Sequence, residues 1–158
     1  MKSADFLCKE AMCVDLKSTN KEDVISDLVE LLINAGKLDK KDKKKVLEVL
    51  IAREALGSTA IGQGIAIPHG KSGSVDKLIG CLGISKQGVN FDSLDGEPSH
   101  IFFLLVAPID SAGPHLKALA RISRLLKDKF VRDSLKNVET EEAMMEIIQQ
   151  EDERLANL

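Results

Sequence analysis

Along the chain, stretches with apolar residues three and four apart alternate with short continuous apolar runs. The first helical stretch places Val24, Ile25, Leu28, Leu31, Leu32 and Ala35 on one face, and the second Val46, Leu47, Leu50 and Ile51. Thr19 with Glu22 three residues on predicts a capping box ahead of the first. Gly36 predicts its end, because glycine accepts the left-handed conformation after a helix. Asp39 predicts the N-cap of the second, which reaches Arg53. A third helix opens at Pro114 and carries Leu116, Leu119, Ala120, Ile122, Leu125 and Leu126. Thr140 caps a last one with Ala143, Met144, Ile147 and Ile148.

The apolar runs predict strands: Met12–Leu16, the short Ile65–Ile67, the buried Leu78–Ile84 and Ile101–Ala107, and Val89–Phe91 between these two. Asp95-Gly96-Glu97-Pro98 is turn chemistry before the second buried strand. Helices, a strand-rich centre and more helices imply an α/β fold: one domain over residues 1–158, with a mixed β-sheet covered by helices on both faces and a core over about 5–150. A chain of 158 residues holds one core of ordinary size, not two.

Composition narrows the function classes. Its 22 basic and 25 acidic side chains leave a net charge of −3, the wrong sign for a nucleic-acid module. With no Trp, no Tyr and five Phe, platforms for stacking bases are scarce. The run Lys40, Lys41, Lys43, Lys44 and Lys45, interrupted by Asp42, lies on the first turns of the second helix. It reads as a solvated face or as an anion-binding patch. Met1–Lys9 lacks the apolar stretch of a signal peptide, and the longest apolar run, Ile101–Ala107, is far short of a bilayer span. Cys8, Cys13 and Cys81 form no CxxC pair and read as small hydrophobes in a reducing compartment, so the expected location is cytoplasmic.

The candidate chemistry gathers in Gly57–Ser72, within a stretch from Leu56 to Gly73 that holds five glycines and one proline. A phosphate loop of the Walker type fails on spacing: five residues separate Gly64 from Gly70-Lys71-Ser72, and one is Pro68, which has no N–H to offer. A dinucleotide fingerprint fails at Ile67, where its third glycine belongs. What remains is His69 on a stiff corner. Pro68 holds Ile67 extended and ends the strand, Gly70 allows a sharp turn, and the imidazole stands at the strand end. A neutral imidazole is a nucleophile near pH 7. Backbone N–H groups of the glycine-rich loop, or the Ser58 and Thr59 hydroxyls, can hold the oxygens of a transferred phosphoryl group. The alternative is a histidine that only fills a turn. His115, just inside the helix opened by Pro114, is a second candidate, kept neutral by the positive helix start and able to donate a hydrogen bond. Arg53, four residues before the loop, offers a permanent cation; both also read as ordinary helix-end residues.

The segment Gly-Ser-Thr-Ala-Ile-Gly-Gln-Gly-Ile-Ala-Ile-Pro-His-Gly-Lys (57–71) resembles the signature of the enzyme IIA domains of the bacterial phosphotransferase system, fructose–mannitol class. The resemblance continues through Val89-Asn90-Phe91-Asp92, Asp95-Gly96, Phe102–Ala107 and Pro114-His115-Leu116-Lys117-Ala118-Leu119, with Arg53-Glu54 at the family's Arg-Glu pair. It covers about residues 5–150. It implies an α/β sandwich and no metal or organic cofactor. It also implies that His69 accepts a phosphoryl group from the phosphocarrier protein HPr and passes it to a cysteine of an enzyme IIB domain, with His115 as supporting donor and Arg53 as stabilising cation. Ser58, Thr59 and Gly70 are the expected phosphate-contacting loop.

Two functions lie within the resemblance: a sugar-uptake component, or a regulatory phosphoprotein of the nitrogen-related branch whose phosphorylation state controls partner binding. Outside it stands a zinc hydrolase using His69, His100 and His115, which lacks any HExxH or HxH pairing.

Overall fold

The computed structural model describes residues 1–157, folded as three layers around one mixed sheet. The strands are β1 (Met12–Cys13), β2 (Ala60–Gly62), β3 (Ile65–Ala66), β4 (His69–Lys71), β5 (Ile79–Val89) and β6 (Ser99–Ala107). The helices are α1 (Lys21–Asn34), α2 (Lys43–Leu56), α3 (Ala112–Leu125), α4 (Lys129–Lys136) and α5 (Glu141–Ala156). The sheet runs β1-β5-β6-β3-β2, with β4 also on β6. β5 and β6 are antiparallel, whereas β3 and β4 follow one another along the other edge of β6, both parallel to it.

β6 explains the layering. Phe102, Leu104 and Val106 join the core beneath α1 and α2, and Ile101, Phe103 and Leu105 join the core beneath α3, α4 and α5. Side chains alternate across a strand, so a continuous apolar run is buried on both faces. No helix among the described residues is long and apolar enough to cross a membrane.

Several elements differ from the sequence reading. Asn20, not Thr19, caps α1, its side chain accepting from the Asp23 N–H at 3.0 Å. Asp39 caps a single 3₁₀ turn, Lys40–Asp42, that leads into α2, and α2 runs on to Leu56. Val89 closes β5 and is not part of a separate Val89–Phe91 strand. Met12–Leu16 is a strand only at Met12 and Cys13, with one further bond to β5 from the Leu16 N–H to the Ile84 carbonyl at 2.7 Å. α3 starts two residues before Pro114, which its first turn tolerates because those N–H groups have no helical partner. α4 has no counterpart in the predicted helices; Asp128 caps it by accepting from the Phe130 N–H at 2.8 Å.

The corner at Pro68 also differs. The strand does not end there but is interrupted. The Ile67 N–H turns away to the Thr59 carbonyl at 3.1 Å, the Pro68 carbonyl accepts from Leu105 N–H at 3.0 Å, and β4 resumes at His69. Gly70 lies within β4 and makes no left-handed turn. Its lack of a side chain serves close packing, since a Cβ there would lie 2.7 Å from Val49 Cγ1 on α2.

The two ends of the chain are tied together. Ser3 donates from its N–H (3.0 and 3.1 Å) and its hydroxyl (3.0 Å) to the Asp152 carboxylate on α5. Arg121 on α3 reaches the same carboxylate from Nε at 3.2 Å and Nη2 at 3.0 Å.

Candidate functional site

Three elements converge at the edge of the sheet. β4 carries His69, α3 carries His115 and the last turn of α2 carries Arg53. The two imidazoles are 46 residues apart in sequence, yet their ring centroids lie 5.4 Å apart with planes tilted by 45°. The parallel pairing of β4 with the end of β6 brings this about: His69 stands opposite Leu105, and β6 hands the chain to α3 a few residues later.

A hydrogen bond sets which nitrogen of the His69 ring is free, and burial without a partner does so for His115. His69 Nδ1 lies 2.6 Å from the Ile67 carbonyl oxygen. A carbonyl only accepts, so Nδ1 carries the proton and Nε2 presents a lone pair. His115 is 7% exposed, and its Nδ1 is buried with no partner. Buried N–H groups left unpaired are rarer than unpaired acceptors, which puts the proton of the neutral His115 ring on Nε2. The pair therefore combines a nucleophilic nitrogen on one ring with a donor on the other.

Burial is the main reason both rings resist protonation. The His69 pKa lies below its ordinary 6.5, through burial first and then through the Arg53 charge, against opposing contributions from the Ile67 carbonyl and Glu54. His115 is lowered by burial, then by His69 and by the Lys71 ammonium. The helix start is not the cause, for His115 is the fourth residue of α3 and its own N–H donates to the Ser111 carbonyl at 2.9 Å. A titration followed by NMR is expected to place both midpoints below 6.5. A lowered folded-state pKa means the unfolded chain takes up protons that the folded one refuses. Stability should therefore fall as the pH drops below about 6.5 and level off only beneath the folded midpoints. A midpoint above 6.5 for either ring would contradict this.

Around the pair, Arg53 is half-buried, donates from Nη1 to the Gly57 carbonyl at 2.8 Å, and lies close enough to lower the proton affinity of His69. The loop hydroxyls have protein partners in this structure. Ser58 Oγ donates to the Phe91 carbonyl, and Thr59, itself buried, gives its hydroxyl proton to Glu54. Gly70 faces α2, where its role is packing.

Glu54 is the residue that sequence reasoning passed over, noted only as a partner of Arg53. Its buried carboxylate accepts from the Thr59 hydroxyl, from the Thr59 N–H at 3.2 Å and from Lys21 Nζ at 3.2 Å. Lys21 in turn reaches Asp92 at 3.1 Å and lies over the Phe91 ring, 4.8 Å from its centroid. A signal was present: an acidic residue in the last turn of a helix opposes the helix dipole and needs a compensating partner. His100 is not brought to the pair. It sits at the start of β6, with Nδ1 2.9 Å from the Ser85 carbonyl, whereas His69 pairs near the strand's end. No group of three or more potential metal ligands converges among the described residues, so the three-histidine zinc reading lacks its geometry.

Comparison with known proteins shows the family to which this fold belongs. Residues 5–151 match the family described as "Phosphoenolpyruvate-dependent sugar phosphotransferase system, EIIA 2". The chain is 41% identical over 152 residues to the fructose-specific EIIABC component of Bacillus subtilis, covering 96% of this chain but only 24% of that protein. Its fold matches the crystal structure of nitrogen regulatory protein IIA-Ntr from Neisseria meningitidis with a TM-score of 0.82 and 32% identity, over 91% of this chain and 97% of that one. It also matches the Escherichia coli enzyme IIA mannitol in its complex with phosphorylated enzyme IIB mannitol, with a TM-score of 0.74 and 20% identity over 89% and 95% of the chains, a likeness of fold. The chain thus belongs to the EIIA 2 family of the phosphoenolpyruvate-dependent sugar phosphotransferase system, and is a phosphotransferase component of the EIIA type.

Proposed function

We propose that this protein is a cytoplasmic phosphohistidine relay, taking a phosphoryl group from phospho-HPr onto His69 Nε2 and passing it to a cysteine of an enzyme IIB in fructose- or mannitol-type sugar uptake. The observation that carries this reading is the paired imidazole geometry, with His69 Nδ1 held by the Ile67 carbonyl and His115 5.4 Å away. The Nε2 lone pair forms a bond to phosphorus as the donor's bond to phosphorus breaks. The step reverses when a thiolate sulfur of the IIB cysteine attacks and His69 leaves as the neutral ring. His115 donates from Nε2 to a phosphoryl oxygen, and the Arg53 guanidinium offsets the added negative charge. Exposed Leu56 and Leu116, on the helices that carry Arg53 and His115, and exposed Ile109, in the turn between β6 and α3, supply apolar contact for an incoming protein.

The test is transfer of labelled phosphate from phospho-HPr to this protein and on to candidate IIB domains. Efficient transfer to a fructose- or mannitol-type IIB supports the sugar-uptake role; labelling without onward transfer to any IIB removes it. The likeness to IIA-Ntr favours a second reading, in which the phosphorylation state of His69 governs binding to regulatory partners.

Two variants examine the supporting groups. Arg53→Ala is expected to slow transfer in both directions by about 10²–10³, the usual effect of removing one preorganised charge contact. Lysine should rescue only part, because a point charge replaces a two-pronged donor. Unchanged rates would leave Arg53 as a clasp for the Gly57 carbonyl and nothing more. His115→Ala should still be labelled on His69, with onward transfer slower by about tenfold or more, within the range of a lost transition-state hydrogen bond. Glutamine, which retains a donor, should be milder. Wild-type onward transfer in His115→Ala would reduce this histidine to a packing residue.

A further inference from the structure

The lysine run, Lys40 and Lys41 in the 3₁₀ turn and Lys43–Lys45 in the first turn of α2, is not used by the chemistry above, and the structure gives it a setting that the sequence did not show. Val46 and Leu50 of α2 are buried against the sheet and α1, and Leu47 and Ile51 flank them, packed against the edge of the same core but half-exposed, next to exposed Ala52. These three form the floor of an open groove of about 700 Å³ whose rim is Lys40, Lys41, Lys43, Lys44 and Glu48. Only Lys43 is ion-paired, with Glu30 at 2.8 Å; Lys40, Lys41, Lys44 and Lys45 have no carboxylate partner among the described residues. An apolar floor beside four ammonium groups, three of them without a carboxylate partner, and the single carboxylate of Glu48 is a local reversal of charge on a chain whose net charge is −3.

We propose that this outer face of α2 is a docking surface for an acidic, amphipathic helical segment of a partner protein. The floor is a groove between side chains, the shape that receives a ridge of Leu, Ile or Met spaced three and four apart on a helix. The rim calls for carboxylates on both flanks of that ridge, and these would also speed encounter. An anionic membrane fits less well. Its binding requires apolar side chains that protrude, whereas Leu47 and Ile51 are recessed, and the groove also contains Glu48. The groove shares Lys41, Glu48 and Ala52 with a second cavity that opens onto Lys71, two residues beyond His69, so a bound segment would lie beside the phosphoryl site. The docking itself requires no phosphotransfer and stands or falls separately from it.

The test uses ¹⁵N-labelled protein and a small panel of designed helical peptides with leucines at helical spacing flanked by glutamates. A companion set carries lysine for glutamate, and phosphatidylglycerol vesicles form a third arm. Acidic peptides are expected to shift amide signals across Lys40–Ala52 and to bind about tenfold or more tightly than their lysine counterparts, weakening as salt is added. The double variant Lys41→Glu/Lys44→Glu, and separately Leu47→Asp, should each weaken binding by about tenfold or more with the circular dichroism spectrum unchanged. Equal binding of the lysine peptides, shifts confined to other faces, or no binding by any acidic peptide would overturn the proposal. Binding to vesicles in place of peptides would assign the face to a membrane. Self-association lost in the double variant would assign it to a second copy, through the acidic α5. Either result removes the partner proposed.

Discussion

Replacing His69 with alanine is expected to abolish labelling from phosphoenolpyruvate, enzyme I and HPr, because it removes the nitrogen of the histidine pair that presents a free lone pair. The alternatives nearby are poor nucleophiles in this structure. His115 has its Nδ1 sealed in the interior and its proton on Nε2, and the Ser58 and Thr59 hydroxyls already donate to Phe91 and Glu54. Cys81 is fully buried, with no exposed surface, and sits in the apolar core under α1. Wild-type protein should carry one phosphoryl group, stable to base and labile to acid as expected of phosphorus bound to imidazole. His69→Ala should carry none while keeping its fold, since the ring is only half-buried. A residual acid-labile label in the variant would show that a second residue accepts phosphate.

The largest effect on stability is expected at Asp152, on the far side of the sheet from α2. This carboxylate is 2% exposed and accepts five hydrogen bonds from four donors: the Ser3 N–H and hydroxyl, and two Arg121 nitrogens, with the Ser3 N–H shared between both oxygens. Asp152→Ala takes the carboxylate from the buried Ser3 and from the Arg121 guanidinium, which keeps only the residue's backbone carbonyl at 3.1 Å, and removing one member of a buried ion pair destabilises by about 3–5 kcal/mol. Asp152→Asn retains one accepting oxygen and should lie between alanine and wild type. Arg121 sits on the helix that presents His115, so loosened anchoring of α3 should also slow onward transfer. Urea unfolding would measure the first effect; a loss under about 1 kcal/mol would mean that the ends of the chain are held by the surrounding apolar contacts alone.

How far the site could be read in advance depended on the kind of interaction. A break in the strand before His69 was visible because Pro68 restricts the backbone locally, although the strand resumes beyond it, and β6 was visible because seven apolar residues in a row leave no face for solvent. The tertiary links were not. That Ile67 leaves the ladder to donate to Thr59, or that Gly70 is small because Val49 is near, depends on elements distant in sequence. The hydroxyls of Ser58 and Thr59 looked available since nothing local uses them; the groups that do are a carbonyl 33 residues on and a carboxylate in the preceding helix. The cap of α1 slipped by one residue because Thr19 and Asn20 are both good caps, and only the chain's entry angle decides between them. α4 was missed because its eight residues bury only Val131 and Leu135, leaving Phe130 on the outside.

The bond between His69 Nδ1 and the Ile67 carbonyl has a kinetic consequence under the proposed function. With that nitrogen tied to the backbone two residues away, the ring has a single entrance, and the same entrance is its exit. Whatever delivers phosphate must vacate the line of approach before whatever collects it can arrive. The two proteins should therefore alternate in a ping-pong scheme, with parallel double-reciprocal plots and each unphosphorylated partner acting as a competitive inhibitor of the other. The direction of net flow would then be set by the relative amounts of charged donor and empty acceptor, with the histidine acting as a turnstile between them.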